Sequence, residues 1–254
     1  MKIAVAGGTG MTGSLVVDRL RTRGHDVVVL ARAAGVDLVT GDGLADKLSG
    51  IDTVVDATSI VARKASDYVH FFGSVASNLQ SAGAAAGVRR IVTLSIVGID
   101  GLGGGPFAHY DGKNAQEKAT LAGSVPTTIL RATQFHGFAG QLIDWTAKGG
   151  LLPCPKQPCQ PIDVAVVADR LADLATTDES NPHVRLDIAG PEVHLMRDLV
   201  RRTAAARGQK LIVIPVWLPG KTAKAIRNGA LTAPKDATIL GGTFDEWLAR
   251  TYPR

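Results

Sequence analysis

The first half of the chain alternates short apolar runs with segments in which apolar residues recur at helical spacing. Leu15, Val16, Arg19 and Leu20 show that spacing, and Gly24 ends their segment. Continuous apolar runs between helices predict a parallel sheet that is covered on both faces, so the pattern indicates a doubly wound α/β fold. The predicted strands are 2–6, 26–30, 37–39, 53–56, 90–94 and 127–130, and the predicted helices are 12–23, 66–86 and 110–121.

The pattern loosens after Phe135. Residues 149–161 are rich in Gly and Pro and are predicted to form a loop. Helices are predicted at 163–175, 197–207, 221–227 and 244–250, and strands at 185–188 and 211–214. We interpret residues 1–254 as one domain, with a sheet-based core over about 1–190 and a small C-terminal substrate lobe over about 191–254.

Composition narrows the class of protein. The 254 residues are 45% hydrophobic and 20% charged, which suits one large globular domain and excludes a disordered chain. Two cysteines exclude a disulfide scaffold. No apolar run reaches the length of a membrane span and no signal peptide is visible, so we expect a cytoplasmic protein without a membrane partner. With 29 glycines and 5% aromatics, close backbone approach to a ligand is favoured over base stacking.

The charge is unevenly distributed. Lys and Arg number 28 against 23 Asp and Glu, a net charge of +5. From Arg197 to the end there are 11 basic and 4 acidic residues, so this segment carries +7 and the part before it −2. Such a surplus could bind nucleic acid or another acidic partner. The lobe has no recognised nucleic-acid motif and few aromatics, so we favour a solvated face.

A glycine-rich turn follows the first predicted strand and opens the first predicted helix. Its glycines let the chain turn tightly, bring backbone N–H groups close to a pyrophosphate and allow the helix to pack on the strand. The start of the helix adds its dipole and its unpaired donors. We therefore predict a dinucleotide site rather than a glycine turn without a ligand. The predicted contacts in this turn are Gly7, Thr9, Gly10, Met11, Thr12 and Gly13.

The residue after the second strand indicates which dinucleotide binds. NAD-type sites place an acid here for the ribose 2′-hydroxyl, whereas this chain has Arg32. A guanidinium can pair with a 2′-phosphate and gains nothing from a neutral hydroxyl. The sequence therefore favours NADP(H) over NAD(H), with a solvated surface arginine as the alternative.

Further cofactor contacts are predicted from topology alone, because ligands of open α/β sheets bind at the carboxyl ends of the strands. Asp42 follows the short strand predicted at 37–39, where an acid can bind an adenine amino group. It could equally be a turn former. The other candidates at strand ends are Ala57, Thr58 and Ser59 after the fourth predicted strand, and Ser95 and Ile96 after the fifth.

These residues resemble the short-chain dehydrogenase/reductase superfamily, in its atypical, NmrA-like branch. The resemblance covers essentially the whole chain and implies a Rossmann-like fold that binds NAD(P)(H). It leaves the activity open, since the branch holds reductases of quinone-like, carbonyl or aromatic substrates and also cofactor-sensing proteins. The motifs that carry it are Gly7 to Gly13, Leu94 to Asp100, Lys113 with Glu117, Ile129 to Phe135, Gln160 to Ile162 and Thr243 to Leu248.

The superfamily's catalytic pair is Tyr-x-x-x-Lys, and this chain departs from it. The resemblance implies Lys113 as a catalytic residue that also holds the ribose hydroxyls, but His109 stands four residues before it and Tyr110 three. Both spacings lie on one helix face. A nearby ammonium favours the phenolate form of a tyrosine, so Tyr110 could donate a proton to a reduced carbonyl. His109 is a competing acid, and Tyr110 could alternatively pack the loop before the helix.

The segment after the sixth strand should face the nicotinamide. We predict cofactor contacts at Thr133, Gln134 and Phe135, and Gln134 or His136 could also bind substrate. For His136 a packing role is favoured. Cys154 and Cys159 lie too far from any histidine pair for a zinc site, so no metal is expected. Lys156 could lower a thiol pKa and permit a reversible disulfide, but we favour two unrelated thiols.

Two functions follow from these motifs. The first is an NADP(H)-dependent reductase that transfers hydride to a small quinone-like or carbonyl acceptor, with the protein supplying orientation and a proton. The second is a binding protein of the NmrA-like type that senses the redox state of NADP(H) without turnover, which the shifted tyrosine supports. The sequence leaves a monomer or a homodimer open.

Overall fold

The computed structural model describes residues 1–177 and 183–253. The chain forms two compact units. The first unit comprises Met1–Ser95, Leu102–Arg131 and Val167–Leu186, and the second comprises Ile96–Gly101, Ala132–Val166 and Asp187–Arg254. No helix among the described residues is both long and apolar enough to cross a membrane.

Strands and helices alternate along the chain, as predicted. The strands are β1 (Lys2–Ala6), β2 (Asp26–Leu30), β3 (Thr53–Asp56), β4 (Arg90–Ile96), β5 (Thr127–Ala132), β6 (Leu151–Pro155), β7 (Pro158–Cys159), β8 (Val184–Ala189), β9 (His194–Leu195), β10 (Ile212–Val216) and β11 (Thr238–Ile239). The helices are α1 (Met11–Thr22), α2 (Leu44–Leu48), α3 (Ala65–Ala86), α4 (Ala108–Ala122), α5 (Phe138–Thr146), α6 (Val164–Thr176), α7 (Met196–Ala206), α8 (Lys221–Arg227) and α9 (Phe244–Thr251).

Seven strands form one parallel sheet in the order β11-β8-β5-β4-β3-β1-β2. The predicted α/β class with a doubly wound parallel sheet is confirmed. In the first unit, Ala6 pairs with Leu30 on one side and with Asp56 on the other, and Asp56 pairs with Thr93. The carboxyl ends of β1 to β4 therefore meet at one sheet edge, which is where the loops with the predicted site residues begin.

The strand predicted at 37–39 is wrong, because this segment is a turn. The Asp37 carboxylate accepts the backbone N–H of Val39 at 2.8 Å and of Thr40 at 3.2 Å. Asn78 of α3 donates to the carbonyl oxygen of Val39 at 2.8 Å. These side-chain bonds to the backbone close a turn and replace the ladder that a strand would need.

The loop predicted at 149–161 is also wrong, because β6 and β7 lie within it. In the second unit β6 pairs in parallel with β10, with Leu152 beside Val213, and β7 pairs antiparallel with β9. Leu152 and Cys154 are fully buried in the core of this unit, while Leu151 and Pro153 face solvent. Alternating burial thus outweighs the Gly and Pro content that indicated a loop.

Helices α3 and α4 pack against each other in the first unit, and a glycine sets their separation. A Cβ atom at Gly112 of α4 would lie 2.6 Å from the Phe72 ring and 2.9 Å from Cβ of Tyr68, both on α3. The close approach brings the buried face of α4 against the sheet, so the residues that follow in α4 reach β3 and β4.

Candidate functional site

The glycine-rich turn joins β1 to α1 at the carboxyl edge of the sheet. The N–H of Gly10 donates to the Gly7 carbonyl at 2.9 Å, and Gly10 precedes α1 without any side-chain cap on the helix start. A Cβ at Gly13 would lie only 2.1 Å from the Gly7 oxygen, so this position requires glycine. Thr9, Gly10 and Met11 are exposed, while Thr12 and Gly13 are buried.

The segment after β3 packs on this turn. Gly7 has φ +75°, and a Cβ there would lie 2.7 Å from the Ala57 carbonyl oxygen. Thr58 is buried, with its hydroxyl and its N–H both donating to Oδ1 of Asp56 at 2.6 and 3.0 Å, whereas Ser59 is exposed. The turn and the first residues after β3 therefore share one edge, as the topology predicts.

Arg32 begins a short 3-10 turn, Arg32–Ala34, two residues after Leu30. Because Leu30 pairs with Ala6, which precedes Gly7, this arginine leaves the sheet beside the glycine turn. Its side chain is exposed and makes no ion pair with any described residue. An exposed guanidinium therefore lies at the position where the sequence predicts a residue that binds the 2′-phosphate.

Asp42 lies in the turn before α2. Its carboxylate accepts a hydrogen bond from the Thr40 hydroxyl at 2.8 Å, and its backbone N–H donates to that hydroxyl oxygen at 3.3 Å. These bonds are those of a turn-forming residue. Contact with an adenine stays a prediction.

Lys113 reaches the end of β4 from α4. Its Nζ donates to the Leu94 carbonyl oxygen at 2.6 Å and lies 4.8 Å from the centre of the Phe72 ring. The side chain is 5% exposed. Burial lowers the pKa of Lys113 to about 8, against the opposing effects of Asp56 and Glu117. An ammonium has three donors, so Lys113 has donors to spare for hydroxyl groups at this edge.

His109 and Tyr110 both lie in the first turn of α4, and burial shifts the pKa of each. Burial and the charge of Lys113 lower the pKa of His109 to about 4, so its unperturbed value does not apply. Burial raises the pKa of Tyr110 to about 12, and the expectation that Lys113 favours its phenolate is wrong. Tyr110 stacks on Phe107 with ring centres 6.3 Å apart, while His109 packs edge-on against Phe72.

Two buried carboxylates flank Lys113. Asp56 ends β3 and accepts from Nε2 of Gln116 at 2.6 Å. Glu117 accepts from the Ser95 hydroxyl at 2.5 Å and from Nε and Nη2 of Arg131 at 2.8 and 2.7 Å. The hydroxyl of Ser95, which the topology made a cofactor candidate, is therefore bonded to Glu117.

The other predicted cofactor contacts lie in the second unit, and two of them are bonded to backbone carbonyl groups. Ile96 ends β4 and is half-buried. The Thr133 hydroxyl donates to the Gln160 carbonyl at 2.5 Å, and the Gln134 amide donates to the Leu231 carbonyl at 2.8 Å. Phe135 forms a parallel bridge with Ile162. These bonds stabilise the segment after β5, and its contacts with a nicotinamide stay a prediction.

His136 is 2% exposed, with its ring centre 5.5 Å from those of Phe244 and Trp247. Burial lowers its pKa, so it behaves as a packed core histidine.

Cys154 and Cys159 are free and buried, and burial raises their pKa to about 11 and about 12. The alternative in which Lys156 lowers a thiol pKa is therefore wrong, and the raised pKa values agree with the favoured interpretation of two unrelated thiols. Among residues 1–177 and 183–253, no group of His, Cys, Asp and Glu side chains could hold a metal ion.

Comparison with known proteins finds one family model that matches part of the chain. Residues 3–121 match the NAD dependent epimerase/dehydratase family. This match agrees with the predicted resemblance to the atypical short-chain dehydrogenase/reductase superfamily, and membership of that superfamily and of its NmrA-like branch stays a prediction. The segment that matches the epimerase/dehydratase family runs from β1 to α4 and includes the glycine turn and Lys113. No curated protein sequence matches the chain.

Solved structures share the fold over nearly the whole chain. MoeE5 in complex with UDP-glucose and NAD is 21% identical, with a TM-score of 0.71 over 99% of both chains. Citrobacter sp. triphenylmethane reductase complexed with NADP(H) is 18% identical, with a TM-score of 0.68 over 99% of this chain and 100% of that one. UDP-N-acetylglucosamine 4-epimerase from Bacillus cereus is 18% identical, with a TM-score of 0.70 over 99% of this chain and 95% of the other.

Sequence reasoning missed the buried polar residues around Lys113. Asp56 and Gln116 were given no role, and Glu117 and Arg131 entered only as parts of motifs. Two signals were present. A charged residue ends an otherwise apolar strand at Asp56 and interrupts one at Arg131, and Glu117 stands one helical turn after Lys113. Within the epimerase/dehydratase segment and the strand after it, these residues form one buried polar cluster.

Proposed function

We propose that the protein is an NADP(H)-dependent oxidoreductase that transfers hydride to a small quinone-like or carbonyl acceptor. One observation carries the choice of cofactor: the exposed guanidinium of Arg32 follows β2 next to the glycine turn after β1. A charge-assisted bond to a 2′-phosphate contributes about 1.5–3 kcal/mol, which NADH cannot gain. The NADP(H) complex of the triphenylmethane reductase fits this assignment.

The residues at the sheet edge fit a dinucleotide. Side chains at Gly7 or Gly13 would fill the space that the turn needs, and the uncapped start of α1 presents backbone N–H groups that suit phosphate oxygens. Lys113 would hold ribose hydroxyls through its remaining donors. When bound, NADPH supplies the hydride.

The protein must supply a proton when a carbonyl is reduced, and Tyr110 is the better donor on α4. Its pKa of about 12 keeps the phenol protonated at neutral pH. His109, with a pKa of about 4, has no imidazolium proton to give there. Tyr110 would donate its phenolic proton to the carbonyl oxygen as the carbon gains hydride, and solvent would return a proton to the phenolate.

The second candidate is a sensor of the NADP(H) redox state that binds without turnover. The stacking of Tyr110 on Phe107 favours it, because a tyrosine held for packing need not reach a substrate. In either case we propose a cytoplasmic protein, a monomer or homodimer, that binds small molecules.

Turnover separates the two candidates. NADPH oxidation is followed at saturating cofactor with quinones, aldehydes and enones. The reductase predicts turnover well above that of free NADPH, and Tyr110→Phe should lower kcat for aldehydes about 10²- to 10⁴-fold without changing the Kd of NADPH. Tyr252→Phe, a phenol of the second unit bonded to Arg207 at 3.0 Å, is the matched control and should retain the rate. NADPH binding without turnover on any acceptor would reject the enzyme and favour the sensor.

A further inference from the structure

Helix α4 presents a polar face to the interior of the first unit. Lys113, Gln116, Glu117 and Thr120 are all buried there. Buried polar groups cost free energy unless they are paired, so their partners restrict how the helix can lie. The partners of two of them, Lys113 and Glu117, lie next to each other on β4.

Two hydrogen bonds join α4 to β4 in opposite directions. Lys113 donates from the helix to the Leu94 carbonyl at 2.6 Å, and Ser95 donates from the strand to Glu117 at 2.5 Å. The two helix residues are one turn apart and the two strand residues are consecutive. Such a pair of bonds fixes both the slide and the rotation of α4 along β4, and therefore where the ammonium lies.

Arginines make the burial of Glu117 possible. Arg131 of β5 donates to both carboxylate oxygens of Glu117, and the side chains of Arg131 and Glu117 are 9% and 4% exposed. Arg185 of β8 adds a contact of 3.3 Å. A two-pronged pair of this kind holds the carboxylate in one orientation. Because β4 and β5 are neighbours in the sheet, the carboxylate is fixed to two strands at once.

We propose that Glu117 is a positioning residue that, through Ser95 and Arg131, sets the place and the charge of the Lys113 ammonium at the end of β4. The proposal deepens the proposed function and rests on it only where it assigns Lys113 to the cofactor. Lys113 would touch the cofactor, and Glu117 would act through its neighbours.

The charge of Lys113 depends on every group that faces it. The Lys113 ammonium is buried and lies near the Phe72 ring. Burial disfavours its charged form, whereas the carboxylates of Asp56 and Glu117 favour it. The charge of Lys113 also lowers the pKa of the nearby His109. Removing the charge of Glu117 takes away one of the two carboxylates that favour the Lys113 ammonium. The charged form is therefore disfavoured, so the sign of the effect is fixed.

The test measures Lys113 in the full chain without cofactor. The ¹³Cε chemical shift of Lys113, assigned with Lys113→Arg, is titrated against pH in the wild type and in Glu117→Gln. The midpoint should fall by about one pH unit in the variant. Glu192→Gln, a change to a half-buried carboxylate in the second unit, is the matched control and should leave the Lys113 midpoint unchanged. A folded Glu117→Gln protein with the wild-type midpoint would overturn the proposal.

Ser95→Ala keeps the ion pair of Glu117 with Arg131 and removes only one of the two hydrogen bonds between α4 and β4. It serves as the second variant if Glu117→Gln does not fold. Its expected effect is a Kd for NADPH about ten-fold higher at neutral pH, with the Lys113 titration close to wild type. An unchanged Kd would contradict the positioning role. If the wild type binds no NADPH while the Lys113 midpoint still falls in Glu117→Gln, the proposed function fails and the control of the Lys113 charge by Glu117 stands.

Discussion

The ammonium group of Lys113 is buried in the first unit, where burial lowers its pKa to about 8 from an ordinary value of 10.5. The charged form is therefore less stable in the folded chain than in the unfolded chain. A folded protein that keeps such a residue gives up stability, which is common where a side chain serves binding or catalysis. The same residue is the one that we assign to the cofactor.

This cost predicts a pH dependence of stability. Below pH 8 both states of the chain carry the charge and the folded state bears the whole cost. Between pH 8 and 10.5 the folded state loses its proton first, so the free energy of unfolding rises with pH. Relative to Lys113→Met, the wild type should gain roughly 2–4 kcal/mol over this range in urea unfolding.

Lys118 of the same helix is exposed and supplies the control for that measurement. Lys118→Met keeps Lys113, so its free energy of unfolding should rise with pH as that of the wild type does. A difference between the wild type and Lys113→Met that stays the same from pH 8 to 10.5 would show that the Lys113 ammonium is not destabilised in the folded chain.

At the scale of elements, local pattern predicted most of the sheet and of its helices. β2, β3 and α8 lie at the predicted residues, and α1 and α3 begin one residue earlier. These elements are set by continuous apolar runs or helical spacing. The predictions for residues 37–39 and 149–161 are wrong because contacts with residues distant in the sequence determine both structures. Asn78 closes a turn in the first segment, and pairing with β10 forms a strand in the second.

The candidate site likewise has one part that could be predicted from the sequence and one that could not. The glycine turn could be predicted because its constraint is local: a strand, a turn and a helix follow one another in the chain. The pairing of Glu117 with Arg131 and Ser95 could not, since the three residues come from α4, β5 and β4. Likewise, the pKa shifts of His109 and Tyr110 come from burial, which spacing does not report.

The joint between β1 and α1 gives the prediction at this scale. In Gly13→Ala the new methyl would lie 2.1 Å from the Gly7 carbonyl oxygen, so α1 must move away from the turn. We expect a loss of about 1–3 kcal/mol in urea unfolding and weaker NADPH binding. Gly137→Ala meets no atom within 4 Å and is the matched control, with a change within about 0.5 kcal/mol. An equal response of the two variants would contradict the close packing of this joint.

At the scale of the whole molecule, part of the positive charge counted from Arg197 onward is paired with acidic residues from earlier in the chain. In the second unit, Arg207 pairs with Asp144 at 2.8 Å, and Arg250 pairs with Asp163. Both acids lie before Arg197 in the sequence, so a count by segment misses them. The pairing supports a solvated basic face over a nucleic-acid surface, which stays a prediction.

The most direct test of the account is a calorimetric titration of the wild-type protein and of Arg32→Ala with NADPH and with NADH. The account predicts that the wild type binds NADPH about 10- to 100-fold more tightly than NADH, because only NADPH has a 2′-phosphate for Arg32. Arg32→Ala should lose most of that preference and leave the affinity for NADH nearly unchanged. Equal wild-type affinities for the two cofactors, or binding of neither, would contradict it.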